Sequence, residues 1–207
     1  LGVTTDTADA EGVVTSRRPV DVTRLEVEQA LRGFLGESLQ LPPMHSALKR
    51  NGKPLYDYAR QGIVVDRAPR RIVIEQINLC EWAGDRCVLD VTCSKGTYVR
   101  TLAADLGERL GCGGHLAALR RTAVGPFDVV SAHSSHFLET LDESERDALL
   151  LPPDAMLADL AEIFLGSVDA GRVRHGQAIR WIGEAGARMR VYARSPRQFL
   201  GVCRVED

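Results

Sequence analysis

Twenty-nine consecutive residues, Ser94 to Thr122 (SKGTYVRTLAADLGERLGCGGHLAALRRT), constrain the fold of this chain more than any other stretch. Just before them, Cys87, Leu89, Val91 and Cys93 alternate with Val88, Asp90 and Thr92, the period of a strand. Ser94, Lys95 and Gly96 interrupt that alternation as a turn. Val99, Leu102, Ala103, Leu106 and Leu110 then recur every three or four residues, which predicts an amphipathic helix. Gly111 ends it, and Gly113 and Gly114 keep the following backbone pliable. Tyr98 and Arg100 therefore fall at a strand-to-helix corner, where rigid flanks can hold a side chain in a cleft. Taken singly, Arg100 reads as a surface charge, Tyr98 as core with a wet hydroxyl and Leu119 as packing.

The rest of the chain supplies the frame. Leu1 to Val14 is rich in Thr, Asp and Gly and reads as a loop or hairpin after a strand. Asp6, Asp9 and Glu11 cluster there; paired carboxylates suit acid–base work, but in a polar loop turn capping is the simpler expectation. Thr23 with Glu26 forms a capping box opening a helix to Gly36, with Val27, Ala30, Leu31, Phe34 and Leu35 buried. Asn51-Gly52 is a tight-turn pair, and Pro54 opens a short helix that carries Tyr56, Ala59 and Arg60 and ends at Gly62. Arg71–Trp82 and Arg86–Cys93 are expected to pair antiparallel across Ala83-Gly84-Asp85. Val124 to Val129 reads as an extended piece returning to that sheet. Ser134 to Leu165 reads as two helices broken at Pro152-Pro153, with a boundary near Gly166. Two further strands, Arg188–Ala193 and Phe199–Val205, follow Val173, Gly176 and Ile179.

Charge narrows the function class. The net charge is −2, against indiscriminate binding to nucleic acid, but the charges are segregated. Lys49 to Arg71 holds seven basic and two acidic residues, Arg172 to Arg197 seven and one. Between them, Ser134 to Asp169 holds nine acidic residues and one basic. Two positive patches around an acidic linker suit a grip on a polyanion at two places, although charge runs also serve as solvated faces. Around the Asn51-Gly52 turn, Lys49, Arg50 and Lys53 lie close to Tyr56, Tyr58 and Arg60, a combination fitted to phosphate contact and base stacking. Five cysteines with no C-x-x-C pair read as reduced, buried small apolar residues. His133 and His136 have no further His or Cys nearby, so no metal site is expected. No apolar run is long enough to span a bilayer and no secretory leader opens the chain, so a cytoplasmic protein is expected.

The motif Ser94-Lys95-Gly96-Thr97-Tyr98-Val99-Arg100-Thr101-Leu102, with Asp105-Leu106-Gly107, His115-Leu116 and Leu119-Arg120-Arg121-Thr122, resembles the tRNA pseudouridine synthase B family. So does the block from Leu41 to Arg71, with its Pro-Pro-x-x-Ser-Ala-x-Lys and Gly-x-x-x-Tyr-x-x-Ala-Arg-x-Gly patterns. The resemblance implies isomerisation of the T-loop uridine of transfer RNA, without cofactor or metal. It implies an α+β fold: a mixed or antiparallel sheet with packed helices, plus a small C-terminal β-barrel of the PUA type. The division it suggests is a partial catalytic domain over 1–133 with an RNA-gripping insertion over 41–71, an acidic helical connector over 134–166, and a PUA-like domain over 167–207. Arg100 would pair with the catalytic aspartate, while Tyr98 and Leu119 would line the base pocket. Lys49, Arg50, Lys53, Tyr56, Arg60, Lys95, Arg120 and Arg121 would contact RNA. A monomer is expected.

One residue is expected to lie elsewhere. The family carries its nucleophilic aspartate in a Gly-x-Leu-Asp segment. Leu89-Asp90 and Leu141-Asp142 lack the preceding glycine, and neither is assigned. The chain opens at Leu1, not Met, inside what reads as a strand-to-loop passage, and its natural start is expected further upstream. These residues alone are then expected to bind transfer RNA without isomerising it. The alternatives are a non-catalytic tRNA-binding or folding module, and a structural domain whose charges only solvate it.

Overall fold

Three aliphatic residues of one long strand, Ile72, Ile74 and Ile77, are the floor on which the first half of the molecule is built. The computed structural model describes residues 1–206, which divide into two compact units, residues 1–119 and the chain from Arg120 onward.

In the first unit, β1 (Val3–Thr5) and β2 (Val14–Arg17) form an antiparallel ribbon. Helix α1 (Arg24–Arg32) starts on the expected capping box, with the Thr23 N–H donating to Glu26 and the Glu26 N–H to the Thr23 hydroxyl. It ends at Gly33, one turn earlier than expected, where Arg109 donates to the Ala30 carbonyl and lies over the Phe34 ring. Gly36, at φ +87°, opens a strand and does not close the helix, and Leu35 is exposed.

That strand, β3 (Gly36–Gln40), leads to the hairpin β4 (Lys49–Arg50) and β5 (Lys53–Pro54). Asn51 and Gly52 turn the hairpin with φ of 51° and 78°, the left-handed pair that an Asn-Gly turn requires. Helix α2 (Leu55–Ala59) follows, then β6 (Arg70–Trp82) and β7 (Cys87–Cys93). The sheet order is β3-β6-β7, antiparallel throughout, as expected for the last two strands. Helix α3 (Val99–Arg109) lays Leu102 and Leu106 against Val27 and Leu31 of α1 and the isoleucines of β6. The motif that organised the sequence thus also supplies one wall of this core.

In the second unit, β8 (Ala123–Val124) and β9 (Phe127–Asp128) form their own two-residue hairpin and do not return to the first sheet. Short helices α4 (Ser135–Glu139) and α5 (Glu143–Ala148) both precede the Pro152-Pro153 pair. The segment expected as a second helix is a strand, β10 (Ala161–Leu165). After α6 (Ser167–Arg174), β11 (Arg188–Ala193) pairs parallel with β10 and antiparallel with β12 (Gln198–Arg204). Pairing with β11 overrides the helical composition of residues 161–165, because it buries Ile163 and Leu165 against Ala170, Val191 and Ala193. The C-terminal sheet is open, with three strands, and no closed barrel is seen among the described residues. The α+β expectation holds, with an antiparallel sheet in one unit and a mixed one in the other.

Two smaller expectations change. Cys80 is exposed, while Cys112 is the fully buried cysteine. Several arginines of the second basic patch are spent internally. Arg190 lies 3.5 Å from Asp154 and 3.4 Å from Glu162, and donates to the carbonyls of Ala158 and Leu160. Arg197 pairs with Glu162 and covers the rings of Phe164 and Tyr192. Among the described residues, no helix is long and apolar enough to cross a membrane, and no cluster of His, Cys, Asp or Glu could hold a metal ion.

Candidate nucleic-acid and active-site corner

Arg100 sits on the first turn of α3, with its side chain about a quarter exposed. One terminal nitrogen donates to Asp9 Oδ2 at 2.8 Å and the other to the His45 carbonyl at 2.6 Å. A charge this deeply set needs such partners. Asp9 is held as firmly: its Oδ1 accepts from the Thr7 hydroxyl at 2.6 Å and the Glu11 N–H at 3.1 Å. Burial alone would raise the Asp9 pKa; the Thr7, Arg100 and Glu11 bonds outweigh it and hold the carboxyl below its ordinary value. Asp9 is therefore anionic at neutral pH.

The turn-capping expectation for the acidic loop is right but incomplete. Asp6 caps the Val13 N–H, and one oxygen of Asp9 caps its own turn. The other oxygen of Asp9 reaches across the fold to Arg100, and no local sequence signal marks it out from its neighbours.

Backbone from a third segment completes the corner. Leu116 exchanges hydrogen bonds with Ala8 and Ala10, a parallel bridge opposite Asp9. Leu119 is three residues further on, so within roughly 10 Å of chain reach of that bridge. Leu119 is 60% exposed, too open for a core residue. Tyr98 is half-buried as the N-cap residue of α3, with its φ and ψ at −93° and 103°. Its N–H donates to Gln40 Oε1 at 2.8 Å, and Gln40 Nε2 donates to its carbonyl at 3.1 Å.

The basic hairpin stands as expected, with its aromatics already engaged. Lys49 and Arg50 are exposed, and Arg50 donates to the Asp66 carbonyl. Lys53 lies 5.0 Å from the centre of the Tyr58 ring, and Arg60 lies 5.4 Å from that of Tyr56. Lys95 is exposed at the turn before α3. Arg120 and Arg121 are exposed at the start of the second unit. Surface concavities of about 430 and 370 Å³ are lined by residues 185–186 with 204–206, and by Val22, Glu26 and their neighbours; neither includes Tyr98, Arg100 or Leu119.

Three family models match end to end. Residues 1–99 match the N-terminal domain of the TruB family pseudouridylate synthases. Residues 100–158 match the tRNA pseudouridylate synthase B C-terminal domain, and residues 161–207 match "Pseudouridine synthase II TruB, C-terminal". The last of these begins where β10 does. A tRNA pseudouridine synthase B of Chromobacterium violaceum is 47% identical over 204 residues, covering 98% of this chain and 67% of the relative. One of Dechloromonas aromatica is 50% identical over 193 residues, covering 93% and 64%. The chain thus spans about two thirds of the length of these relatives. A crystal structure of a Cbf5–Nop10–Gar1 complex superposes with a TM-score of 0.68 at 22% identity, over 90% of this chain and 56% of the other. An H/ACA RNP bound to a substrate RNA gives 0.65 at 19%, over 90% and 55%. At such identity the likeness is one of fold.

Proposed function

Because the chain belongs to the TruB family of pseudouridylate synthases, we propose that it serves the conversion of the T-loop uridine of transfer RNA to pseudouridine. The reaction breaks the bond from N1 to C1′, turns the base and joins C5 to C1′. The hydrogen on C5 leaves as a proton and N1 gains one, so the sum is redox-neutral and needs no metal or cofactor. The base must first leave the stack.

On this reading Arg100 orients and keeps ionised the carboxylate that attends the ribose, Tyr98 holds the base face, and Leu119 closes the apolar side. Lys49, Arg50, Lys53, Tyr56, Arg60, Lys95, Arg120 and Arg121 take phosphates and ribose. The C-terminal sheet acts as a PUA-like RNA-binding appendage. The working form is a cytoplasmic monomer.

The observation that carries the reading is the double tether on Arg100. A guanidinium has five N–H donors, and Asp9 and the His45 carbonyl take two. The remaining three can fork a second carboxylate. Asp9 itself is not the nucleophile on this reading, because Thr7, Glu11 and Arg100 occupy both its oxygens. Asp90 is exposed on β7, and Asp142 caps α5, so neither serves. On this reading the nucleophile belongs to the Gly-x-Leu-Asp segment that the resemblance implies, which these 207 residues do not contain.

A tritium-release assay with a stem-loop labelled at C5 of the target uridine, alongside a binding titration, tests this. Binding without release is expected. Turnover by these residues alone would overturn the assignment of the nucleophile; no binding would overturn the RNA reading. A purely tRNA-binding or folding role rests on the basic hairpin and leaves the Arg100 tether without a purpose.

A further inference from the structure

Gln40 is the last residue of β3 and is 6% exposed, one of two buried polar side chains among the described residues. Its main chain is fixed by register opposite Arg70 of β6. Its side chain makes no bond to its own strand. It reaches 58 positions along the sequence to Tyr98, giving a donor to the carbonyl and taking the N–H. The amide thus acts as one more rung of sheet, holding both backbone polar groups of a single residue.

That residue needs holding. Tyr98 is the N-cap of α3 but makes no side-chain cap; its carbonyl takes the Leu102 N–H at 3.1 Å as well as the Gln40 amide, while its own N–H depends on Gln40. The same 40–46 segment also supplies the His45 carbonyl to Arg100, two residues beyond Tyr98. One short segment, anchored in the sheet at Gln40, therefore meets both corner residues, and it leads directly into the basic hairpin.

We propose that Gln40 is a positioning residue: its amide fixes the backbone of Tyr98 so that the phenol ring lies against the target base. The inference rests on the reading of Tyr98 as the base-holding residue given above. A buried amide anchored in a sheet is stiffer than a capping side chain on a loop, and supporting groups of this kind set how exactly an aromatic face is placed.

The test uses the full 207-residue chain with a synthetic T-stem-loop carrying one 5-fluorouridine at the target position, read by fluorine NMR. A ring stacked on the base shifts the resonance upfield. Wild type is expected to show the shift and Tyr98→Ala to lose it. Gln40→Met keeps the packing volume but neither hydrogen bond, and is expected to lose the shift while still binding the stem-loop. Gln40→Glu is the rescue. When protonated, its carboxyl again offers one donor and one acceptor, so the shift should return as pH falls and vanish as the group ionises. A packing role alone would give no such pH dependence. If Gln40→Met keeps the wild-type shift while Tyr98→Ala loses it, the positioning role is overturned and the reading of Tyr98 stands. If Tyr98→Ala matches wild type, the reading of Tyr98 fails and takes the inference with it. If Gln40→Met does not fold, the pH response of Gln40→Glu decides alone.

Discussion

Asp9 Oδ2 lies 2.8 Å from a terminal nitrogen of Arg100, closing a contact between residues 91 positions apart. The acidic turn between β1 and β2 is thereby fastened to the first turn of α3. Replacing the acid with its amide would leave a part-buried guanidinium without its counter-charge and with the His45 carbonyl as its remaining strong tether. In a form of the enzyme that turns over the stem-loop, Asp9→Asn is expected to lower the single-turnover rate of tritium release about a hundredfold, the scale on which misplaced catalytic groups cost. A rate within threefold of wild type would reduce the pair to a structural link.

Salt dependence separates RNA contact from mere solvation. If the hairpin grips phosphates, the logarithm of the stem-loop association constant falls steeply with the logarithm of salt concentration. Lys49→Ala should shallow that slope by about one unit. Lys49 is the cleaner probe, because Arg50 also holds the Asp66 carbonyl. An unchanged slope would return Lys49 to the solvated surface.

Gly107 meets the turn after α3 at backbone distance. A Cβ there would lie 2.2 Å from the Gly113 carbonyl carbon and from the Gly114 nitrogen, neither of which can rotate away. The Gly113 N–H donates to the Gly107 carbonyl at 2.8 Å across the same contact. Gly107→Ala is therefore expected to cost about 1–3 kcal/mol or more. It should lower the unfolding midpoint by roughly 5–10 °C in a thermal melt.

A pH prediction belongs to the second unit. The Tyr192 hydroxyl donates to Asp154, and that bond is the main reason the Asp154 carboxyl lies below its ordinary 3.8. A depressed carboxylate stabilises the fold above its unfolded pKa, and that contribution disappears as pH falls through the folded value. Tyr192→Phe removes the bond and returns the folded pKa toward 3.8, so the variant should melt below wild type near neutral pH, with the gap narrowing as pH falls below that value. Thermal melts of both proteins between pH 3 and 7 check this; a gap that stays the same across that range would contradict it.

Local chemistry made much of this molecule legible in advance. The Thr23–Glu26 box, the Asn51-Gly52 turn, the β6–β7 pair and the stripe on α3 each depend on neighbours within a few residues. What escaped depends on distant partners. Residues 161–165 are a strand because β11, nearly thirty residues later, pairs with them. Helix α1 stops at Gly33 beside Arg109. The corner residues Tyr98, Arg100 and Leu119 stood out by their pattern, but Asp9 and Gln40 did not. Each carries an ordinary polar side chain whose importance lies in the residue it reaches, 91 and 58 positions away.

The central claim is that Arg100, fixed by Asp9 and the His45 carbonyl, serves the carboxylate that performs the isomerisation. The most direct measurement is single-turnover tritium release by a form of the enzyme that turns over the stem-loop, comparing wild type with Arg100→Ala at saturating stem-loop. The account predicts that binding persists while the rate falls by at least a hundredfold. An Arg100→Ala enzyme that releases tritium at the wild-type rate would contradict it.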